Sequence, residues 1–202
     1  MKQSIKEILA QNPVGQEIIV CGWVRTFRNN QFAAVSDGSC LQTMQVVVDH
    51  ENTDPSLLKE ITTGSAIIAK GILVSSQGKG QAVELKAHPI EVVGKADPET
   101  YPLQPKKHSM EFLRENAHLR FRTNTFGAVM RVRHALAFAI HTFFHDRGFF
   151  YIHSPIITGS DAEGAGEMFK VTTLSLENVQ RDPDGNIDFK KDFFGKPTNL
   201  TV

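Results

Sequence analysis

The sequence predicts an α+β protein whose first half is a small five-stranded β-barrel and whose second half opens on a long helix. Three observations carry that expectation. Residues 17–94 contain five runs rich in β-branched and aromatic residues, ordered as three runs, a short helical signature and two more runs. A proline-rich stretch then interrupts the apolar periodicity. Beyond it, apolar residues recur at spacings of three and four from Phe126 to Phe144.

A short N-terminal helix precedes the first strand. EIIVCGWVRTFR (Glu17–Arg28) is rich in β-branched and aromatic side chains, and the Asn29-Asn30 pair after it is a turn signal. QFAAVSDG (Gln31–Gly38) ends in Asp-Gly, and LQTMQVVVD (Leu41–Asp49) follows after a short gap, the spacing of a three-strand meander. DPSLLKEITTG (Asp54–Gly64) reads as a helix, with Pro55 near its first position and Gly64 as its stop. SAIIAKGILVSS (Ser65–Ser76) and QAVELKAHPIEVVG (Gln81–Gly94) read as strands joined by the turn QGKG, with Pro89 marking an edge or a bend. This order is that of an OB-fold, a Greek-key barrel that binds oligonucleotides on the face around its second and third strands. Other small barrels share the order. Trp23 is assigned to the barrel core.

KADPETYPLQPKKHS (Lys95–Ser109) carries three prolines and no apolar periodicity, and reads as a semi-rigid linker. TNTFGAVMRVRHALAFAIHTFFHDRGFF opens with Thr and Asn cap candidates and closes at Gly148, the marks of a long amphipathic helix. FFYIHSPIIT (Phe149–Thr158) is expected to be a strand broken by Pro155. A further strand is expected over Met168–Thr173, a polar hairpin around Asp182–Gly185, and another β segment from NLTV. The expected organisation is a barrel domain at 1–98, a hinge at 99–120 and the start of a second domain at 121–202. A chain that stops inside a β segment is expected to be a fragment.

Composition excludes several classes. Of 202 residues 41% are hydrophobic and 22% charged, too apolar and too evenly charged for a disordered chain. No run reaches the roughly 20 apolar residues that span a bilayer, and MKQSIKEILAQNPVGQ lacks the apolar core of a signal peptide. Cys21 and Cys40 are too few for a disulfide framework. The expectation is a cytoplasmic protein without membrane contact.

The net charge of zero is a sum of unlike parts. Residues 1–105 hold 9 Lys+Arg against 11 Asp+Glu, residues 106–147 hold 8 against 3, and residues 148–202 hold 5 against 8. The basic middle, which includes Lys106 and Lys107, is suited to a phosphate backbone or is simply a solvated helix face.

Three features together carry a resemblance: CGWVRTFRNNQFAAVSDGSCLQTMQVVVD, the long helix leading through RGFFYIHSPIIT, and GSDAEGAGEMFKVTT. The chain resembles class IIb aminoacyl-tRNA synthetases from about Gly15 to Val202, and within them the asparaginyl branch. EGAGEMF is the most specific string, since aspartyl members share its Glu-Gly-Ala core but typically differ at the position of Gly166; DFFGKPTNLTV adds to it. The resemblance implies an OB-fold anticodon-binding barrel followed by the beginning of a class II antiparallel-sheet catalytic domain. The implied activity is asparagine–tRNA ligation: asparagine, ATP and tRNA(Asn) as substrates, Mg²⁺ as cofactor, an asparaginyl-adenylate intermediate and a homodimer formed through the long helix, with Gly148 and Pro155 at its interface.

Residue by residue, Phe32, Gln45 and Glu84 match anticodon-contacting positions, with Arg25 and Arg28 near the RNA backbone. An exposed aromatic gives an unpaired base a stacking platform, and a neutral amide suits the edge of uracil. Taken without the resemblance, Phe32 reads as barrel core, since aromatics in small barrels are usually buried. Glu163, in a loop with Gly159, Gly164 and Gly166, matches the contact to the substrate ammonium group, with Ser160, Asp161, Ala165 and Gly166 as loop partners; solvated loop acids are the plainer reading. Glu167 faces either pocket or solvent.

Other constellations carry no chemistry. His134, His141 and His145 share the long helix without a Cys cluster or an HExxH glutamate, so they read as surface or interface groups and no metal is expected. SSQGKGQ (Ser75–Gln81) lies between strands and is a hairpin turn, not a phosphate cradle. The family's ATP-holding patterns, FRxE and GxGxGxER, do not occur, so catalytic residues are unassigned and adenylation by this chain alone is not expected. Two alternatives stay open, an aspartyl-type enzyme and a stand-alone OB-fold nucleic-acid binder.

Overall fold

The computed structural model describes residues 3–78, 80–160 and 168–201. The chain divides into two compact units, Met1–Ala139 and Ile140–Val202.

The first unit opens with α1 (Ile5–Gln11), whose start is closed by a capping box between Ser4 and Glu7. Two further free N–H groups of that first turn donate outward, Ile5 to Asp37 Oδ2 at 2.8 Å and Lys6 to Ser39 Oγ at 3.0 Å. The helix is thereby tied to the barrel, and Ile5 and Ile8 enter its core.

Five strands close the barrel: β1 (Glu17–Arg28), β2 (Phe32–Ser36), β3 (Met44–Val48), β4 (Ala66–Ser75) and β5 (Val83–Gly94). Their order is β1-β2-β3-β5-β4, with β4 returning to β1, and β3 and β5 run parallel. This is the OB-fold the element order predicts. Asn29 and Asn30 both adopt positive φ, 54° and 50°, which turns β1 into β2 tightly and is a conformation asparagine tolerates. Alternation along each strand sends Val20, Val24, Ala33, Val35, Met44, Val46, Val48, Ile67, Leu73 and Leu85 inward, each no more than 1% exposed. Burial of such side chains contributes about 1.5–3 kcal/mol apiece.

Pro89 does not end β5. The strand continues through it, with a register shift opposite, where Ala69 pairs Ile90 and Gly71 pairs Ala87. The short helix α2 (Pro55–Glu60) is capped by Asp54 and stops before Gly64, which instead lies under the Tyr101 ring.

Trp23 is not a core residue. It pairs with Ser36 and Ala66, out of phase with inward Val24, and stands on the outer face 37% exposed. Register, not ring size, decides its side.

After β5 the chain is irregular but anchored. Thr62 Oγ1 donates to Ala96 O at 2.6 Å, and buried Leu103 joins Leu113 and Phe126 in a second small core with Tyr101, Phe112 and Leu119. Leu113 comes from α3 (Met110–Glu115), capped by Ser109. A single 3₁₀ turn, Arg120–Arg122, leads to α4 (Asn124–His145), the long helix the periodicity predicts. Of its apolar residues Phe126 is buried, whereas Val132, Leu136, Phe138 and Ile140 are each more than half exposed.

In the second unit α4 stops at His145, and the turn after it ends at Gly148 (φ 82°). Phe149 N donates to Phe144 O and Gly148 N to His145 O, the paired bonds of a Schellman stop. The strand expected over Phe149–Thr158 shrinks to β6 (Ile157–Thr158). Residues 149–156 are exposed, with Phe150 at 90%, and among the described residues only Ile156 of them is joined to the last β segment, its carbonyl accepting from Thr201 N at 2.9 Å. β7 (Lys170–Val171) and β8 (Thr198–Leu200) complete a small antiparallel sheet of order β6-β8-β7. The expected polar hairpin is present, with Arg181 bridging Ile187 and Gly185 N donating to Asp182 O.

Candidate nucleic-acid interface

Strand alternation that fills the barrel also loads its outer face. Because Ala33 and Val35 point inward, Phe32 points outward and is half-buried there. Pairing places Phe32 between Arg28 on β1 and Val47 on β3, and Val47 beside Lys86 on β5. The next row runs Thr26, Ala34, Gln45. Gln45 then reaches Glu84, its Nε2 donating to Oε2 at 3.3 Å. Ser76 Oγ donates to the same oxygen at 2.9 Å. Phe32, Gln45, Glu84 and Arg28 are thus brought onto one face of β1-β2-β3-β5.

Arg25 goes elsewhere. It is the extra residue at a bulge in β1, between Val24 and Thr26, and its Nη1 donates to Asn124 Oδ1 at 3.4 Å. Burial pushes its guanidinium below the usual value, partly offset by Tyr101. It lines a cleft of about 640 Å³ between the outer barrel face and the start of α4. Arg122 and Arg131 line it too, with His118, His134 and Trp23, and no Asp or Glu is among the lining residues. The Arg122 guanidinium lies 4.6 Å above the Trp23 ring and donates to Tyr101 Oη at 3.4 Å. Arg131 donates to the carbonyls of Gly127 and Gly38, at 2.9 and 2.5 Å. Three half-buried cations held by neutral acceptors leave their charge uncompensated, an arrangement that attracts phosphate. Arg25 stands out in the sequence, but Arg122, Arg131 and outward Trp23 do not; their signal is only the basic excess of residues 106–147.

Of the loop residues expected to meet an amino acid, Asp161, Glu163, Ala165 and Gly166, with Glu167, lie outside the described residues. Ser160 is exposed, its N–H donating to Thr158 Oγ1 at 3.2 Å. Gly148 is the helix stop and Pro155 is exposed in the irregular segment before β6. His134 stacks on Phe138, and His141 meets Tyr151 edge-on at 4.8 Å. Among the described residues no three His, Cys, Asp or Glu side chains are grouped to hold a metal ion.

Residues 18–93 match the profile of the OB-fold nucleic acid binding domain, and residues 109–181 that of class II tRNA synthetases (D, K and N). The asparagine–tRNA ligase of Cytophaga hutchinsonii is 56% identical over 98% of this chain and 44% of its own length. That of Parabacteroides distasonis is 56% identical over 100% and 44%. The chain belongs to the asparaginyl-tRNA synthetase family.

The chain spans less than half the length of these family members. Solved structures agree on the fold. Asparaginyl-tRNA synthetase from Pyrococcus horikoshii, complexed with asparaginyl-adenylate, superposes with a TM-score of 0.74 at 21% identity, over 100% of this chain and 42% of that one. The Entamoeba histolytica enzyme gives 0.71 at 20% identity, over 100% and 43%. Together with the profiles, they identify the architecture as an α+β family fold with an OB barrel at its N-terminal side. Among the described residues no grouping of His, Cys, Asp or Glu side chains fits a Mg²⁺ ion. The family's two ATP-holding patterns are absent from the sequence, and the described donors are not clustered.

Proposed function

We propose that the protein acts in asparagine–tRNA ligation, with the outer barrel face reading the anticodon of tRNA(Asn). The observation that carries this reading is the single face holding half-buried Phe32 beside the hydrogen-bonded Gln45–Glu84 pair. The aromatic ring offers a stacking surface, and the amide–carboxylate pair offers donors and acceptors for a base edge such as uracil's. Arg28 and the Arg25–Arg122–Arg131 cleft are assigned to the RNA backbone, where position along the strand is set without reading sequence.

The remaining roles follow from family membership. Glu163 pairs with the ammonium group of asparagine, and Ser160, Asp161, Ala165 and Gly166 close the loop around it and exclude water. The asparagine carboxylate attacks the α-phosphorus of ATP and the α–β anhydride bond breaks, giving asparaginyl-adenylate and releasing pyrophosphate; Mg²⁺ would offset phosphate charge there. This sequence lacks that part of the site, so the chain alone binds RNA without activating asparagine. The exposed apolar side of α4 pairs with a second copy to form a homodimer, which also covers Gly148 and Pro155. The protein works in the cytoplasm.

Binding of a tRNA(Asn) anticodon-arm hairpin, against the same hairpin with an altered anticodon, tests the reading. The altered hairpin binds more weakly, and Phe32→Ala costs about 1–3 kcal/mol with the authentic one. Equal affinity for both hairpins overturns it. Asparagine-dependent ATP–pyrophosphate exchange by the chain alone contradicts its assigned inactivity.

A further inference from the structure

We propose that Ser76 and Gln81, at the two ends of the β4–β5 hairpin, are positioning residues for base recognition. They hold the Glu84 carboxylate by one oxygen and so set the hydrogen-bonding pattern that Gln45 and Glu84 present. The proposal rests on the anticodon-reading role of the outer face given above.

All the bonds converge on Glu84 Oε2. Ser76 Oγ donates to it at 2.9 Å, Gln45 Nε2 at 3.3 Å and Gln81 Nε2 at 3.5 Å. The Ser76 hydroxyl is itself fixed. It accepts from Gly78 N at 3.1 Å and from Gln81 Nε2 at 3.2 Å, so its one proton is directed at Glu84. With Oε2 committed, Oε1 of Glu84 has no hydrogen-bond partner among the described residues and is left as an acceptor.

The same contact orients Gln45. An amide can be placed either way round, but here the reverse placement sets its carbonyl against a carboxylate. Nε2 therefore faces Glu84, and Gln45 Oε1 points away as a second acceptor, beside the remaining N–H of Nε2 as a donor. The acceptor and donor side by side on the Gln45 amide match a base edge that presents a ring N–H next to a carbonyl, as uracil and guanine do. Cytosine places a ring-nitrogen lone pair at that position, which meets an acceptor unfavourably. Without Ser76 and Gln81 the carboxylate is free to rotate and Gln45 to flip, and that rejection relaxes.

The test uses the 202-residue chain and two anticodon-arm hairpins differing by uracil or cytosine at the base read by Gln45. Ser76→Ala and Gln81→Leu are expected to reduce the uracil-over-cytosine preference by about tenfold, the scale of a missing hydrogen bond to a charged group. Ser76→Thr keeps the hydroxyl and restores the preference. Thermal midpoints stay at the parent value, since the hairpin end carries none of the buried core. Gln45→Ala and Glu84→Ala separate this proposal from the reading beneath it. If those two lose the preference while Ser76→Ala and Gln81→Leu keep it, the positioning role is wrong and the anticodon face stands. If Gln45→Ala and Glu84→Ala also bind both hairpins as the parent does, the anticodon face itself is wrong. Loss of affinity for both hairpins in parallel with a lowered midpoint makes Ser76 structural and overturns the proposal.

Discussion

Gly71 shows how one side chain's absence holds the barrel closed. A Cβ added there would overlap Lys86 O, a backbone atom that cannot move aside. The close approach sits where β4 and β5 slip register around Pro89. Gly71→Ala is expected to cost about 3 kcal/mol, the upper range for overpacking a tight site, seen as a lowered urea midpoint with unchanged slope. A parent-like midpoint contradicts this account of the β4–β5 packing. Neither the close approach nor the outward stance of Trp23 is legible in the sequence, because each depends on which residue lies across a ladder. Phe32 shows the same limit. Its ring by itself reads as barrel core, and pairing with Arg28 and Val47 puts it outside.

Elements whose period is strong in sequence form where expected. β1 spans Glu17–Arg28, and α4 stops in the turn that ends at Gly148. The strand expected at Phe149–Thr158 forms only at its end, where β8 pairs with Ile157 and Thr158 and Thr201 N reaches Ile156 O: side chains can favour extended backbone, but a strand exists only where another pairs with it. The small sheet of the second unit has a different anchor. Asp192, buried beside β7 and β8, accepts from Thr172 Oγ1 at 2.6 Å, Thr173 N at 2.9 Å, Thr173 Oγ1 at 2.7 Å and Phe193 N at 2.7 Å. Those bonds, led by the Thr172 hydroxyl, hold its carboxyl far below the usual carboxylate range. The folded pKa lies below the unfolded value of about 3.9, so the stabilisation is fully present above about pH 4 and disappears as acid titrates the folded carboxylate. The Thr173 amide is expected to exchange faster with solvent as pH falls below that value, after correction for intrinsic exchange. Asp192→Asn removes this acid dependence; a variant that keeps it shows that another group governs the sheet.

At the scale of the whole chain, zero net charge hides a basic middle that the fold gathers at the cleft beside the barrel. Each phosphate neutralised by the protein releases condensed counterions, so affinity falls with salt in proportion to the phosphates engaged. Replacing Arg25, Arg122 and Arg131 by Gln is expected to flatten the log Kd against log salt slope by about 0.7 for each phosphate released from the protein. Lys106→Ala with Lys107→Ala is expected to flatten it further. An unchanged slope in both sets removes the basic middle from RNA binding. Recognition of the family draws on strings spread from Gly15 to Val202, because EGAGEMF and the barrel signature are local. The gathering of Arg25 with Arg122 and Arg131 is not readable in the same way, since it joins residues about a hundred positions apart.

By itself the sequence determined what depends on neighbours along the chain. Periods of two and of three to four, caps, turns and the family strings belong here, since backbone geometry and short-range hydrogen bonding act over a few residues. The tertiary structure alone decided what depends on residues across the ladder. It set which face Trp23 and Phe32 occupy, which carboxylate oxygen Ser76 and Gln81 hold, and where the arginines meet. Register and closure bring those partners together, and no local period encodes them.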